Sequence, residues 1–100
     1  MIGKYKVITL CGSMKFKDDF LREQKRLTLE GNIVLTPNIF LLAEDITEDI
    51  KKMLDDMHKR RIDMADEIFV INKNGYVGSS TKSEIEYAKK LGKKINFMEN

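Results

Sequence analysis

Short apolar segments alternate with longer amphipathic segments along this chain, and this alternation constrains the fold more than any other feature. Each apolar segment has the length and β-branched content of a buried strand, and each amphipathic segment has the spacing of a helix with one apolar face. The resulting order is strand, helix, strand, helix, strand, helix, strand. That order is typical of parallel strands joined by right-handed crossovers. We therefore predict an α/β fold with a small open parallel sheet.

Glycine and proline mark the ends of several of these segments. Gly31 and Gly92 follow the first and third predicted helices, where glycine commonly ends a helix, and Pro37 stops the second strand. Residues 38–46 follow neither period and are predicted to be irregular. The strands are predicted at 7–11, 32–36, 67–72 and 94–97, and the helices at 15–30, 47–66 and 81–91. The expected strand order is 2-1-3-4, a shortened flavodoxin-like or Rossmann-like sheet.

Length and composition exclude several classes of protein. The chain has 100 residues, 42% of them apolar and 34% charged, which suits one domain spanning residues 1–100. A net charge of +2 provides no field that would attract nucleic acid or a membrane, so neither is expected as a partner. Cys11 is the only cysteine and His58 the only histidine, so neither a disulfide nor a structural metal is expected. The start of the chain lacks a signal pattern, which predicts a cytoplasmic location.

The predicted strand order places a ligand site before any motif is considered. In open parallel sheets, ligands bind beyond the carboxyl ends of the strands at the point where the strand order reverses. Here that point lies between the first and third strands, at the loops 11–15 and 72–80. These loops contain Gly12, Gly75 and Gly78, and glycine permits tight turns or close approach of the backbone to a ligand.

The first loop has two interpretations. Gly12 and Ser13 precede a helix N-terminus, whose free N–H groups can bind an anion, and Ser13 and Lys15 could add donors. Alternatively, Ser13 only caps the helix. The chain has neither a Walker motif nor the dinucleotide glycine pattern, which argues against an ATPase or a dehydrogenase, and no cofactor is expected.

The second loop also has two interpretations. The segment Gly78-Ser79-Ser80-Thr81 offers hydroxyls and helix N-terminal amides to a phosphate or a sugar. Glu84 is then expected in the first helical turn, beside the same ligand. Alternatively, Thr81 and Glu84 have the spacing of a capping box, which ties off a helix end without any chemistry.

Four segments together resemble the nucleoside 2-deoxyribosyltransferase superfamily, which includes the 2′-deoxynucleoside 5′-monophosphate N-glycosidases. The resemblance spans nearly the whole chain and rests on the order and spacing of its motifs. The segments are Leu10-Cys11-Gly12-Ser13, residues 58–71 (HKRRIDMADEIFVI), residues 75–81 (GYVGSST) and residues 83–88 (SEIEYA).

The resemblance implies the parallel α/β fold and a glycosyl-transfer reaction in which Glu84 is the nucleophile. Tyr76 would line the base pocket or anchor the loop. The hydroxyls implied to contact the sugar or a 5′-phosphate are those of Ser13, Ser79, Ser80 and Thr81. We expect a homodimer or a larger homo-oligomer, because the core is small and the segment 39–42 is apolar. The resemblance implies the same, because members of that family form homodimers or larger rings.

The chain departs from the family pattern at two positions. Family members usually place an aspartate eight residues before the position of Asp66, where this chain has His58. Asp63 is the carboxylate considered on that helix, but it lies five residues, more than one turn, from His58. The family also places an aspartate six residues before the catalytic glutamate, where this chain has Gly78. A phosphorylated ligand is favoured by positive charge on the helix that carries His58, and Arg61 is chosen before Arg60 because it lies nearer the apolar face. The positive charge is that of His58, Lys59, Arg60 and Arg61. The alternatives are an inactive nucleotide-binding or regulatory module of the same fold, and an interaction domain without a ligand.

Overall fold

The computed structural model describes residues 1–100 and contains one four-stranded parallel sheet. Its strands are β1 (Lys6–Gly12), β2 (Asn32–Leu35), β3 (Glu67–Ile71) and β4 (Lys94–Phe97). The strand order is β2-β1-β3-β4, and all three neighbouring pairs are parallel. The predicted fold class and strand order are therefore confirmed.

Three helices connect the strands: α1 (Lys17–Leu29), α2 (Glu48–Met64) and α3 (Ser79–Lys90). The chain also makes three short 3-10 turns. Met14–Phe16 precedes α1, Ala43–Asp45 precedes α2, and Lys73–Gly75 lies in the loop between β3 and α3. Helix α1 begins two residues later than predicted because the chain first makes a 3-10 turn, and α3 begins two residues earlier. Residues 38–46 are irregular apart from one 3-10 turn, as predicted.

The core has one cluster on each face of the sheet. All five residues of β3 are buried, and alternate residues point to opposite faces. Helix α1 covers one face, and α2 and α3 cover the other. The first cluster contains Ile8, Leu10, Phe20, Leu27, Phe69 and Ile71. The second contains Cys11, Ile62, Ile68, Val70, Ile85 and Ala88.

The apolar faces of α1 and α2 are narrower than the sequence predicted. The helical pattern of 15–30 includes Leu21 and Leu29 among its apolar residues, yet both are exposed. Each helical residue advances by about 100°, so Phe20 and Leu27 share a face that Leu21 and Leu29 do not. For the same reason Met53 and Met57 of α2 are exposed while His58 and Ile62 are buried.

Several large apolar side chains remain on the surface. Phe40 and Leu42, in the segment between β2 and α2, are both more than half exposed. The homodimer stays a prediction that rests on this segment. No helix is both long enough and apolar enough to cross a lipid bilayer.

Candidate active site

A cavity of about 410 Å³ opens at the carboxyl edge of the sheet. Its walls are the loops after β1 and β3, the segment after β2, and the facing sides of α2 and α3. This is the position that the strand order predicts for a ligand, and the volume is within the usual range for small-molecule sites. Of the site residues predicted from the sequence, those that line the cavity are Gly12, Ser13, His58, Arg61, Tyr76, Gly78, Ser79, Ser80, Thr81 and Glu84.

Helix α3 carries Glu84 on its buried side. The helix begins at Ser79 with Gly78 as its N-cap, and no side chain caps it. The capping-box interpretation is therefore wrong, because Thr81 is the third helical residue and is buried. Glu84 is the sixth residue of α3 and lies in the second turn, not in the first as predicted. Its carboxylate does not cap the helix, and it faces the cavity with the residue only 9% exposed.

Burial dominates the electrostatics of Glu84. Removal from water raises the pKa of Glu84 to about 7, although the neighbouring Cys11 thiol acts in the opposite direction. In the first turn of a helix, where the sequence pattern places Glu84, the helix dipole would favour the ionised form. The second-turn position weakens that effect, which falls off within the first turn. At neutral pH the carboxylate is therefore divided between its protonated and ionised forms.

His58 lies beside this carboxylate and is neutral at pH 7. Burial and the nearby guanidinium of Arg61 lower the pKa of His58 to about 4. Its Nε2 is 3.8 Å from Glu84 Oε1 and 3.5 Å from Cys11 Sγ, while Nδ1 is 3.3 Å from Arg61 Nη1. The prediction that His58 adds positive charge is therefore wrong, because desolvation disfavours the imidazolium.

Arg61 is one of two cations of α2 that line the cavity, and Lys51 is the other. Arg61 Nη2 donates a 2.8 Å hydrogen bond to Asn38 Oδ1, which ties α2 to the segment after β2. By contrast, Arg60 is exposed and pairs with Asp63 at 3.1 Å. The choice of Arg61 over Arg60 from the helical spacing therefore agrees with the geometry.

Residues 7–97 match the DUF4406 family, which is described as a domain of unknown function. The match covers most of the chain. The protein belongs to the DUF4406 family. No curated protein matches the chain. Family membership leaves the activity of a DUF4406 domain open, so its chemistry must be argued from the site.

Lys15 is the one predicted site residue that the DUF4406 cavity does not include. Its ammonium lies 3.5 Å from the centre of the Tyr76 ring, a cation–π contact. The edge of Tyr76 also meets the ring of Phe16, with the ring centres 5.8 Å apart. Tyr76 thus anchors its loop and also lines the cavity, and its contact with a base stays a prediction.

The cavity contains three polar residues that were not predicted from the sequence, namely Asn38, Lys51 and Asp55. Lys51 Nζ contacts Asp55 Oδ2 at 3.0 Å and Ser80 Oγ at 3.5 Å, so it bridges α2 and α3. Helical spacing from His58 could have located Asp55 and Lys51, which lie one and two turns earlier on the same face. Asp63, the carboxylate considered instead, is held by Tyr87 at 2.6 Å and does not line the cavity.

Cys11, His58 and Glu84 are the only group in the chain whose spacing suits a metal ion. Their ligand atoms all lie within 4.8 Å of one another. A metal would need the lone pair of His58 Nε2. The Arg61 donor beside Nδ1 favours the tautomer that carries its proton on Nε2, so the arrangement suits a hydrogen-bond network better than a metal site.

Proposed function

We propose that this DUF4406 domain cleaves the N-glycosidic bond of 2′-deoxynucleosides or their 5′-monophosphates, with Glu84 as the nucleophile. One observation carries the proposal: a buried carboxylate that caps no helix faces a nucleoside-sized cavity at the point where the strand order reverses. The order of the motifs that resemble the deoxyribosyltransferases supports the same chemistry.

The reaction proceeds in two displacements. An oxygen of ionised Glu84 attacks C1′ as the C1′–N bond breaks, and the base leaves with the bonding electron pair and takes up a proton from solvent. The product is a deoxyribosyl ester of Glu84. Water, or a nitrogen of a second base, then attacks C1′ as the ester C1′–O bond breaks. The attacking atom loses its proton to solvent, and the carboxylate is released. The positive charge that develops on the sugar in both steps is stabilised by the adjacent carboxylate.

Two cations favour a phosphorylated 5′ end. Lys51 and Arg61 both line the cavity, and Lys51 already contacts Ser80, whose neighbours Ser79 and Thr81 also line it. Hydroxyls and helix N-terminal amides beside an ammonium group form a good phosphate environment.

Asp55 is a carboxylate on the same face of α2. It lies one turn before His58, the position where the deoxyribosyltransferases place an aspartate.

Replacing Lys51 by methionine tests the phosphate assignment. A hydrogen bond to a charged group contributes roughly 1.5–3 kcal/mol, and about 1.4 kcal/mol is tenfold in affinity. We therefore expect Lys51→Met to raise KM for deoxynucleoside 5′-monophosphates about tenfold while KM for free deoxynucleosides is unchanged. Lys52→Met, at an exposed residue that does not line the cavity, is the matched control. Equal effects on both substrate classes would contradict the assignment.

The activity itself is tested by chromatography. Purified protein is incubated with the four deoxynucleosides and their 5′-monophosphates, each with and without a second free base, and released base is quantified. We expect base from at least one substrate. Binding of a nucleotide without any release of base would instead indicate the inactive nucleotide-binding module, and neither binding nor release would indicate an interaction domain.

A further inference from the structure

A chain of polar contacts runs from Arg61 through His58 and Cys11 to Glu84, across three elements of the fold. It begins on α2, where Arg61 Nη1 lies 3.3 Å from His58 Nδ1. A guanidinium has only donors, so the neutral imidazole must accept at Nδ1 and carry its proton on Nε2. The first contact therefore sets the tautomer of the histidine.

The second contact passes from α2 to the end of β1. His58 Nε2 is 3.5 Å from Cys11 Sγ, within hydrogen-bond distance for sulfur. The thiol sulfur at the end of β1 is therefore an acceptor within reach of Nε2–H, in the tautomer that the Arg61 contact sets.

The third contact reaches α3. Cys11 is fully buried, and its Sγ lies within 4.8 Å of a carboxylate oxygen of Glu84. Because Sγ faces the donor Nε2–H of His58, the thiol directs its own proton to another acceptor, and Glu84 is the carboxylate beside it. With the thiol proton directed at Glu84, donors and acceptors alternate from Arg61 to the carboxylate.

We propose that Arg61, His58 and Cys11 form a directed hydrogen-bond chain that points the Cys11 thiol proton at Glu84 and makes Cys11 a positioning residue for the reacting carboxylate. The role in catalysis rests on the proposed function, but the hydrogen bond itself does not. The thiol holds the carboxylate from the protein side, which leaves an oxygen toward the cavity. It also favours the ionised form, which is the nucleophilic one.

Charged groups around Glu84 also affect its pKa, beside burial and the Cys11 thiol. Asp55 on α2 disfavours the ionised carboxylate, and Lys59 and Lys51 on the same helix favour it. Burial outweighs all of these, and the Cys11 thiol has the largest of the effects that oppose burial. Loss of the thiol should therefore be visible in the titration of Glu84 itself.

The test is a ¹³C NMR titration of the Glu84 side-chain carboxyl in wild-type protein, Cys11→Ala and Cys11→Ser, with the resonance assigned by Glu84→Gln. We expect Cys11→Ala to raise the pKa of Glu84 by about one unit, equivalent to about 1.4 kcal/mol. Cys11→Ser keeps a donor, so its pKa should return to the wild-type value or fall below it. If Cys11→Ala does not fold, Cys11→Val fits a buried strand position and provides the same comparison.

Val70→Ala is the matched structural control, because Val70 is fully buried in the same apolar cluster as Cys11. It should reduce stability without changing the titration of Glu84. An unchanged pKa in Cys11→Ala, or an equal shift in Val70→Ala, would overturn the proposal. The acid limb of kcat/KM for base release should move with the NMR pKa. The expected NMR shift without any base release would support the hydrogen-bond chain and refute the proposed function.

Discussion

Replacing Glu84 by glutamine will reduce the release of base by about a thousandfold or more, since removal of an attacking group typically has effects of this size or larger. Glutamine has nearly the same shape as the protonated carboxyl but cannot form the ester to C1′. The fold should tolerate the change, because burial already favours the uncharged form of Glu84. Initial rates of base release measured by chromatography check the loss, and a thermal melt checks the fold.

Glu86→Gln is the control for this variant. Glu86 lies on the same helix two residues later, is exposed, and forms an ion pair with Lys89 at 3.6 Å. We expect its activity to equal that of the wild type. If Glu84→Gln retained wild-type activity, the nucleophile would have to be another residue.

Replacing Phe20 by alanine will reduce the free energy of unfolding by about 3–5 kcal/mol, the usual range for truncation of a buried phenylalanine. Phe20 is 0% exposed and packs in the cluster between α1 and the sheet. Small domains are stable by only about 5–15 kcal/mol, so much of the stability would be lost. Urea unfolding followed by circular dichroism measures the difference.

Phe20 also supports the first loop of the cavity. A Cβ atom added to Gly12 would lie 3.2 Å from the tip of the Phe20 ring and 2.9 Å from the carbonyl oxygen of Ile71. Close packing at the end of β1 therefore requires Gly12.

Leu21→Ala is the control for Phe20→Ala. Leu21 is the adjacent residue and is 51% exposed, so this variant should lower the free energy of unfolding by less than about 1 kcal/mol. Equal losses for the two variants would contradict the packing described for α1.

The sheet could be predicted because its signal is local. The unbroken apolar run of β3 is typical of a strand buried on both faces, and parallel connections leave few possible topologies. The start of α3 was predicted less well. Thr81 and Glu84 have the spacing of a capping box, but Gly78 adopts the N-cap position and the helix includes Ser79 and Ser80.

The candidate site could be located from the sequence but not completed. Loops after β1 and β3 meet because of the strand order, so Gly12, Ser13 and the second glycine loop could be placed together. Asn38 lies in a segment without a period, and nothing local indicates that it binds Arg61. The protonation of Glu84 depends on how deeply three elements bury it, which is a property of the folded chain alone.

The stereochemistry of methanol transfer tests the central claim most directly. Natural nucleotides have the β configuration at C1′, and two successive displacements through Glu84 retain it. With methanol added as acceptor during cleavage of the best substrate, proton NMR should show the β-methyl deoxyriboside as the product. The α anomer would indicate direct attack by the acceptor with Glu84 acting only as a base, and the absence of cleavage with every deoxynucleoside and 5′-monophosphate would contradict the proposed function itself.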